Sequence, residues 1–123
     1  MAYPSAADLA RAYFRAFETA DRPAMEALLG DAFIFTSPFD DRIDRAAWFA
    51  RCWPFSGSFR FQKDMAIFTE GEVAVVLYET EGKPGGTFRN AERFRVAGGR
   101  IVSIEVYFGF LPQAIIDAAM GAG

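Results

Sequence analysis

The sequence predicts a single α+β domain over residues 1–123: N-terminal helices closing a curved antiparallel sheet around an apolar pocket. Three observations predict it. Apolar residues recur at helical spacing mainly before residue 55. Alternation with period two dominates from residue 59 to residue 108. The links between the alternating segments are short and glycine-rich, which makes sequential strands antiparallel neighbours. Helices gathered before such a meander give an α+β class rather than a parallel α/β one.

Each element has its own signals. Ser5 and Asp8 form a capping box with Asp in place of the usual Glu, opening a helix to about Ala20 with Leu9, Tyr13, Ala16 and Phe17 on one face. Asp21 caps a second, shorter helix through Met25, Leu28 and Leu29, which Gly30 is expected to end. Ala32 to Thr36 reads as a strand stopped by Ser37-Pro38, and Asp40-Asp41-Arg42 as a polar stretch. Asp44 caps a third helix carrying Trp48, Phe49, Cys52 and Trp53, stopped by Pro54. Four strands follow: Phe59 to Phe68, Glu72 to Thr80, Thr87 to Ala97 and Arg100 to Phe108. Their links are Glu70-Gly71, Lys83-Pro84-Gly85-Gly86 and Gly98-Gly99. Gln113 to Met120 suits a short final helix.

Composition bounds the chemistry. Hydrophobic residues make up 52% and aromatics 16%, with fourteen Phe, enough to build a core and line a cavity. The net charge of −3 argues against a general electrostatic role on nucleic acid or anionic membrane. The opening residues lack a signal-peptide pattern, no apolar run has membrane-spanning length, and Cys52 has no second cysteine to pair with, so a cytoplasmic setting is expected. The chain contains no histidine. Ser-His-Asp and Cys-His nucleophile systems are therefore excluded, as is His-ligated zinc or iron. Acid–base work falls to Asp, Glu, Tyr, Lys or Cys52. No cofactor or metal is expected.

Several motifs, in order, resemble the nuclear transport factor two-like superfamily and its SnoaL-like and ketosteroid-isomerase-like branches. They are Ala12-Tyr13 in the first helix, Asp21 opening the second, and Asp31-Ala32 leading to Ser37-Pro38-Phe39. Glu92-Arg93-Phe94-Arg95-Val96 and Gly99-Arg100-Ile101 complete the set at the last hairpin. The resemblance implies a cystatin-like cone, a sheet wrapped round the first helix with a deep pocket between them, and a homodimer through the outer sheet face. It also implies roles. Tyr13 falls at the position of the oxyanion-hole tyrosine of ketosteroid isomerases, and Glu92 at that of their protonated carboxylic acid. The general-base position holds Ser37, which cannot shuttle a proton as a carboxylate does.

The residues also speak for themselves. Alternation places Phe88, Asn90, Glu92, Phe94 and Val96 on one strand face and Arg89, Arg93 and Arg95 on the other. Glu92 is thus a carboxyl on an apolar face, either a pocket acid or a structurally bonded group. Tyr13 is either a core tyrosine or a donor pointing into the pocket. Asp40 and Asp41 are candidate replacements for the missing base, against the alternative of a solvated loop. Phe35, Ser37, Trp48, Cys52, Trp53, Phe61, Val76, Tyr78, Asn90, Ile104, Val106 and Phe108 are expected to line the pocket. On the last strand Val102, Ile104, Val106 and Phe108 are expected inside, with Ser103, Glu105 and Tyr107 outside. Cys52 is read as an inert, half-buried thiol.

Two functions compete. One is a cofactor-independent isomerase, cyclase or dehydratase moving a proton on a small hydrophobic metabolite through Tyr13, Glu92 and Asp40. The other is a non-catalytic domain that binds a hydrophobic ligand and dimerises. A pure assembly module with a filled cone is a third possibility.

Overall fold

The computed structural model describes residues 3–82 and 86–121, and of residues 62–64 and 121 the backbone. The chain forms α1 (Ala6–Glu18), α2 (Arg22–Leu28), β1 (Leu29–Ser37), β2 (Asp40–Asp44) and α3 (Arg45–Arg51). A single 3₁₀ turn (Trp53–Phe55) leads into β3 (Phe59–Glu70), β4 (Val73–Gly82), β5 (Thr87–Ala97) and β6 (Arg100–Phe108), and α4 (Gln113–Gly121) closes the sequence of elements. Three helix starts are fixed by the side chains expected to cap them. Ser5 Oγ accepts from the Asp8 N–H at 3.1 Å, Asp21 from Ala24 at 3.2 Å and Asp44 from Ala47 at 2.9 Å.

The strands make one curved, open sheet in the order β2-β1-β6-β5-β4-β3. The meander from β3 to β6 is antiparallel throughout, whereas β1 runs parallel to β6. Two expectations about this edge are corrected. The polar stretch after Pro38 is a strand, β2, because the chain folds straight back on β1 and pairs Ser37 with Asp40 and Ile34 with Asp44. Gly30 does not end α2. The helix stops at Leu28, with the Leu29 N–H closing on the Met25 carbonyl, and Leu29 already pairs with Ile101. Gly30 is buried in β1, where a Cβ would come within 3.4 Å of the Ile101 carbonyl.

The β5–β6 hairpin turns through Gly98 and Gly99, with φ of 60° and 77°, the left-handed pair that a two-residue hairpin requires. The pairing of Arg95 with Ser103 and of Val96 with Ile101 leaves Val102 as an extra residue in a bulge. Ile101 therefore points inward and Val102 stays half exposed, contrary to the simple alternation, while Ile104 and Val106 resume it as expected. Of the expected turn Lys83-Pro84-Gly85-Gly86, residues 83–85 lie outside the described residues.

Helix α1 lies against β3, β4 and β5. Its buried residues Ala6, Leu9, Ala10, Tyr13, Phe14, Ala16 and Phe17 form the stripe that helical spacing dictates. Phe14 packs on Phe61 and Tyr78, and Tyr13 on the edge of Phe94, at ring separations of 4.9–5.2 Å. Trp48 of α3 is fully buried against Phe33, Phe35 and Tyr13. The opposite sheet face carries a different row. Ala66, Leu77, Ala91 and Tyr107 are paired across four strands, with Phe68 beside them and an Arg93–Glu105 ion pair at 3.0 Å. Phe68, Leu77 and Tyr107 are exposed.

The two faces make a direct prediction for β5. Phe94→Ala should destabilise the fold by about 3–5 kcal/mol, the usual range for emptying a fully buried phenylalanine site. Arg95→Ala, one residue on, should change stability by no more than about 0.5 kcal/mol. Urea unfolding of the two variants checks this, and similar losses for both would contradict the assigned facing.

Candidate functional site

A cavity of about 180 Å³ opens between α1, α3 and the inward side chains of β1, β4, β5 and β6, with α4 closing one side. Its walls are mainly aromatic: Tyr13, Phe14 and Phe17 from α1, Phe35 from β1, Trp48 from α3 and Phe61 from β3. Leu111, Ile115, Ala118 and Ala119 complete it from the C-terminal side. The space exceeds the roughly 150 Å³ of an apolar cavity that admits benzene, so a substituted single-ring molecule fits.

One end of the cavity is polar. Glu92, at 5% exposure, and Asn90, at 8%, follow each other on the inner face of β5. Tyr78 of β4 lies directly across from Asn90. The Tyr78 hydroxyl donates to Glu92 Oε2, and Asn90 Nδ2 donates to the Tyr78 oxygen at 3.0 Å. Glu92 Oε1 and Asn90 Oδ1 have no partner among the described residues. Burial raises the Glu92 carboxyl from 4.5 to about 7, although the bond from Tyr78 pulls the other way. Burial, and then the Glu92 charge, hold the Tyr13 hydroxyl well above its ordinary range. The Trp48 indole N–H opposes this weakly without reaching hydrogen-bonding geometry.

A second polar group stands nearer solvent. Ser37 Oγ donates to Asp40 Oδ2 at 3.1 Å and accepts from the Phe39 N–H at 3.1 Å. Asp40 Oδ1 receives Arg51 Nε at 2.7 Å. Ser37, Asp40 and Arg51 all line the cavity, and the Asp40 side chain is only 9% exposed. The tight turn after β1 thus brings a carboxylate beside the serine that stands at the base position of the resemblance. Asp40 is no solvated loop residue, whereas Asp41 is exposed and outside the lining. Asp44 is occupied in capping α3. Among the described residues no cluster of three Cys, Asp or Glu is placed to hold a metal ion.

The sequence profile of the SnoaL-like domain family matches residues 10–104. This chain belongs to the SnoaL-like family. No curated protein sequence matches it. Solved structures share the SnoaL-like fold at low identity. An NTF2-like protein of unknown function from Cytophaga hutchinsonii superposes with a TM-score of 0.76 at 22% identity, covering 94% of this chain and 97% of its own. A candidate polyketide cyclase from Pseudomonas putida gives 0.73 at 20%, covering 87% and 93%. An LEH-like epoxide hydrolase from Mycobacterium tuberculosis gives 0.72 at 20%, covering 94% and 96%.

Of the residues that the sequence assigned to the SnoaL-like pocket, Tyr13, Phe35, Ser37, Asp40, Trp48, Cys52, Phe61, Tyr78, Asn90, Glu92, Val106 and Phe108 do line the cavity. Trp53, Val76 and Ile104 do not. Val76 and Ile104 face inward as alternation requires but are fully buried in the core. Trp53 starts the 3₁₀ turn and packs against Phe17, Trp48 and Phe49 behind the cavity wall. Missed were Arg51, which only the packing of α3 brings to Asp40, and the bond from Tyr78 to Glu92, which needs the strand register. Cys52 is pushed up to about 12, first by burial and then by the Asp40 charge, so its thiol stays protonated and unreactive at neutral pH.

The buried acid makes stability depend on pH. The folded chain holds the Glu92 proton to about pH 7, against an ordinary value of 4.5. Between these values the folded state binds more protons than the unfolded state, so stability from this site is complete below 4.5 and lost as pH rises toward 7. The loss amounts to roughly 3 kcal/mol. Cys52, Tyr13 and Tyr78 stay neutral across this window. Glu92→Gln removes the titration, so the stability difference between wild type and E92Q should grow in the variant's favour from pH 4.5 to 7 and then level off. Chemical denaturation at several pH values measures it, and a difference independent of pH would refute the buried neutral acid.

Proposed function

We propose that this SnoaL-like protein is a cofactor-independent enzyme that moves a proton on a small, mainly apolar metabolite containing a carbonyl group. The observation that carries the reading is a pair of carboxyl groups in one aromatic cavity with different surroundings. Glu92 is dry and retains its proton near neutrality, while Asp40 is ion-paired with Arg51 and hydrogen-bonded by Ser37. Environments that separate two carboxyl groups in this way are how a site divides acid and base roles. β2 and β5 are three positions apart in the sheet order, about 14 Å if the sheet were flat, and curvature together with the inward side chains shortens that span. A substituted single-ring ligand would lie between them.

In the proposed step, the substrate carbonyl oxygen accepts from the Glu92 carboxylic acid and the Tyr13 hydroxyl. An Asp40 carboxylate oxygen takes a proton from the carbon next to the carbonyl. The C–H bond breaks, an O–H bond forms on Asp40, and the electron pair moves to the carbonyl oxygen, where the donors stabilise the enolate. Return of the proton to another carbon isomerises the substrate. Attack of the enolate on a second carbonyl cyclises it, and expulsion of a β-hydroxyl dehydrates it. The relatives' names, a candidate polyketide cyclase and an epoxide hydrolase, fit small-molecule chemistry in such a cavity. A second reading, a non-catalytic binder of hydrophobic ligands, is favoured by the engagement of both Asp40 oxygens.

Exchange in deuterium oxide separates the two. Small ketones shown by NMR to occupy the cavity should lose α-protons faster with the wild-type protein than without it. Asp40→Asn and Glu92→Gln should each slow that exchange by about 10²-fold or more. Bound ketones that do not exchange would leave the binder reading. A homodimer through the outer face belongs to the same proposal, supported by exposed Phe68, Leu77 and Tyr107 around the four-strand row. Light scattering should then find a dimer at micromolar concentration and a monomer for Leu77→Glu. A wild-type monomer would end that part of it.

A further inference from the structure

Asn90 and Glu92 stand two residues apart on the same face of β5, about 7 Å along the strand. Both are more than nine-tenths buried, both line the cavity, and each retains one oxygen without a partner among the described residues. Tyr78 sets the polarity of that edge. Its single hydroxyl proton goes to Glu92 Oε2, so its oxygen is left to accept, and it takes a proton from Asn90 Nδ2. The Asn90 amide therefore turns its carbonyl away from Tyr78, leaving a free acceptor. Glu92 already accepts at Oε2, so the neutral carboxyl places its own proton on Oε1, a free donor. The edge thus holds one unpaired acceptor and one unpaired donor, both buried in the cavity wall, in a fixed order.

We infer that the cavity selects a carbonyl compound that also bears an O–H or N–H donor about one ring-width away, with its carbonyl oxygen on Glu92 Oε1 and its donor on Asn90 Oδ1. Asn90 is then the specificity-determining residue. A ketone without the donor leaves Asn90 Oδ1 buried and unpaired, and a site built to bond a polar group discriminates strongly against an analogue lacking it. This deepens the proton-transfer reading and takes the role of Glu92 from it.

Four similarly shaped probes test the inference by NMR titration at pH 6: ethylbenzene, 3-ethylphenol, acetophenone and 3-hydroxyacetophenone. Wild-type protein should bind 3-hydroxyacetophenone about tenfold or more tightly than acetophenone. Asn90→Leu should bring the two ketones within about twofold of each other by weakening the hydroxylated one alone. Tyr78→Phe frees the amide to rotate and should also reduce the preference, which covers the case in which N90L does not fold. Equal binding of the two ketones by wild type, binding of neither, or a preference that survives both substitutions would overturn the inference. The readouts separate it from the reading it rests on. Exchange without a hydroxyl preference defeats the selectivity alone, and a hydroxyl preference without exchange defeats the catalysis alone.

Discussion

The structure depends on a mismatch of lengths. α1 has 13 residues, roughly 20 Å of helix. The strands it lies on have 10–12 residues, roughly 33–40 Å of sheet. Its apolar stripe, from Ala6 to Phe17, covers one part of the inner face and seals Ala74, Val76, Phe94 and Ile104 into a dry core. The other end of that face is enclosed by Tyr13, Phe14 and Phe17 of α1 together with α3 and α4. The cavity is the remainder of that surface. Its walls are aromatic because the alternation that builds the core continues along each strand into the cavity, where Phe61 and Tyr78 meet Phe14 of α1.

That geometry explains where polarity is tolerated. A carboxyl in the sealed part would have no means of satisfaction, and the residues there are apolar. Glu92 sits where the core gives way to the cavity, within reach of Tyr78 from the neighbouring strand. The bond from Tyr78 partly offsets the burial, and the neutral acid form offsets the rest. The three side chains make a small network in which each orientation fixes the next, so the site is ordered by hydrogen bonds as well as by packing.

Much of this was legible in the sequence, for identifiable reasons. The four strands from β3 to β6 and their facing follow from alternation and turn residues, and Asn90 and Glu92 stood out as polar groups on an apolar face. Capping residues placed the helix starts. What the sequence withheld was long-range or irregular. β2 carries four charged residues out of five and has no apolar alternation to mark it, because it is an edge strand defined by its return onto β1. The bulge at Val102 breaks the parity of β6 without a local signal. The link from Tyr78 to Glu92 depends on strand register, and the depth of Val76 and Ile104 on where α1 ends. Neither is encoded in the residues themselves. Arg51 and Asp40 are eleven positions apart, and only the packing of α3 over the turn joins them.

The turn Ser37-Pro38-Phe39-Asp40 has a further consequence. Side chains within a strand are locked to its two-residue rhythm: a shift of one position sends them to the other face. Asp40 lies just past a turn, at the first residue of a short edge strand, and Ser37 and Arg51 hold it in place. A change in the length or residues of that turn would reposition this carboxylate by small steps, without disturbing the six-stranded scaffold or the acid on β5. The two halves of the site are thus free to diverge at different rates. One is tied to the architecture, and the other is mounted on its rim.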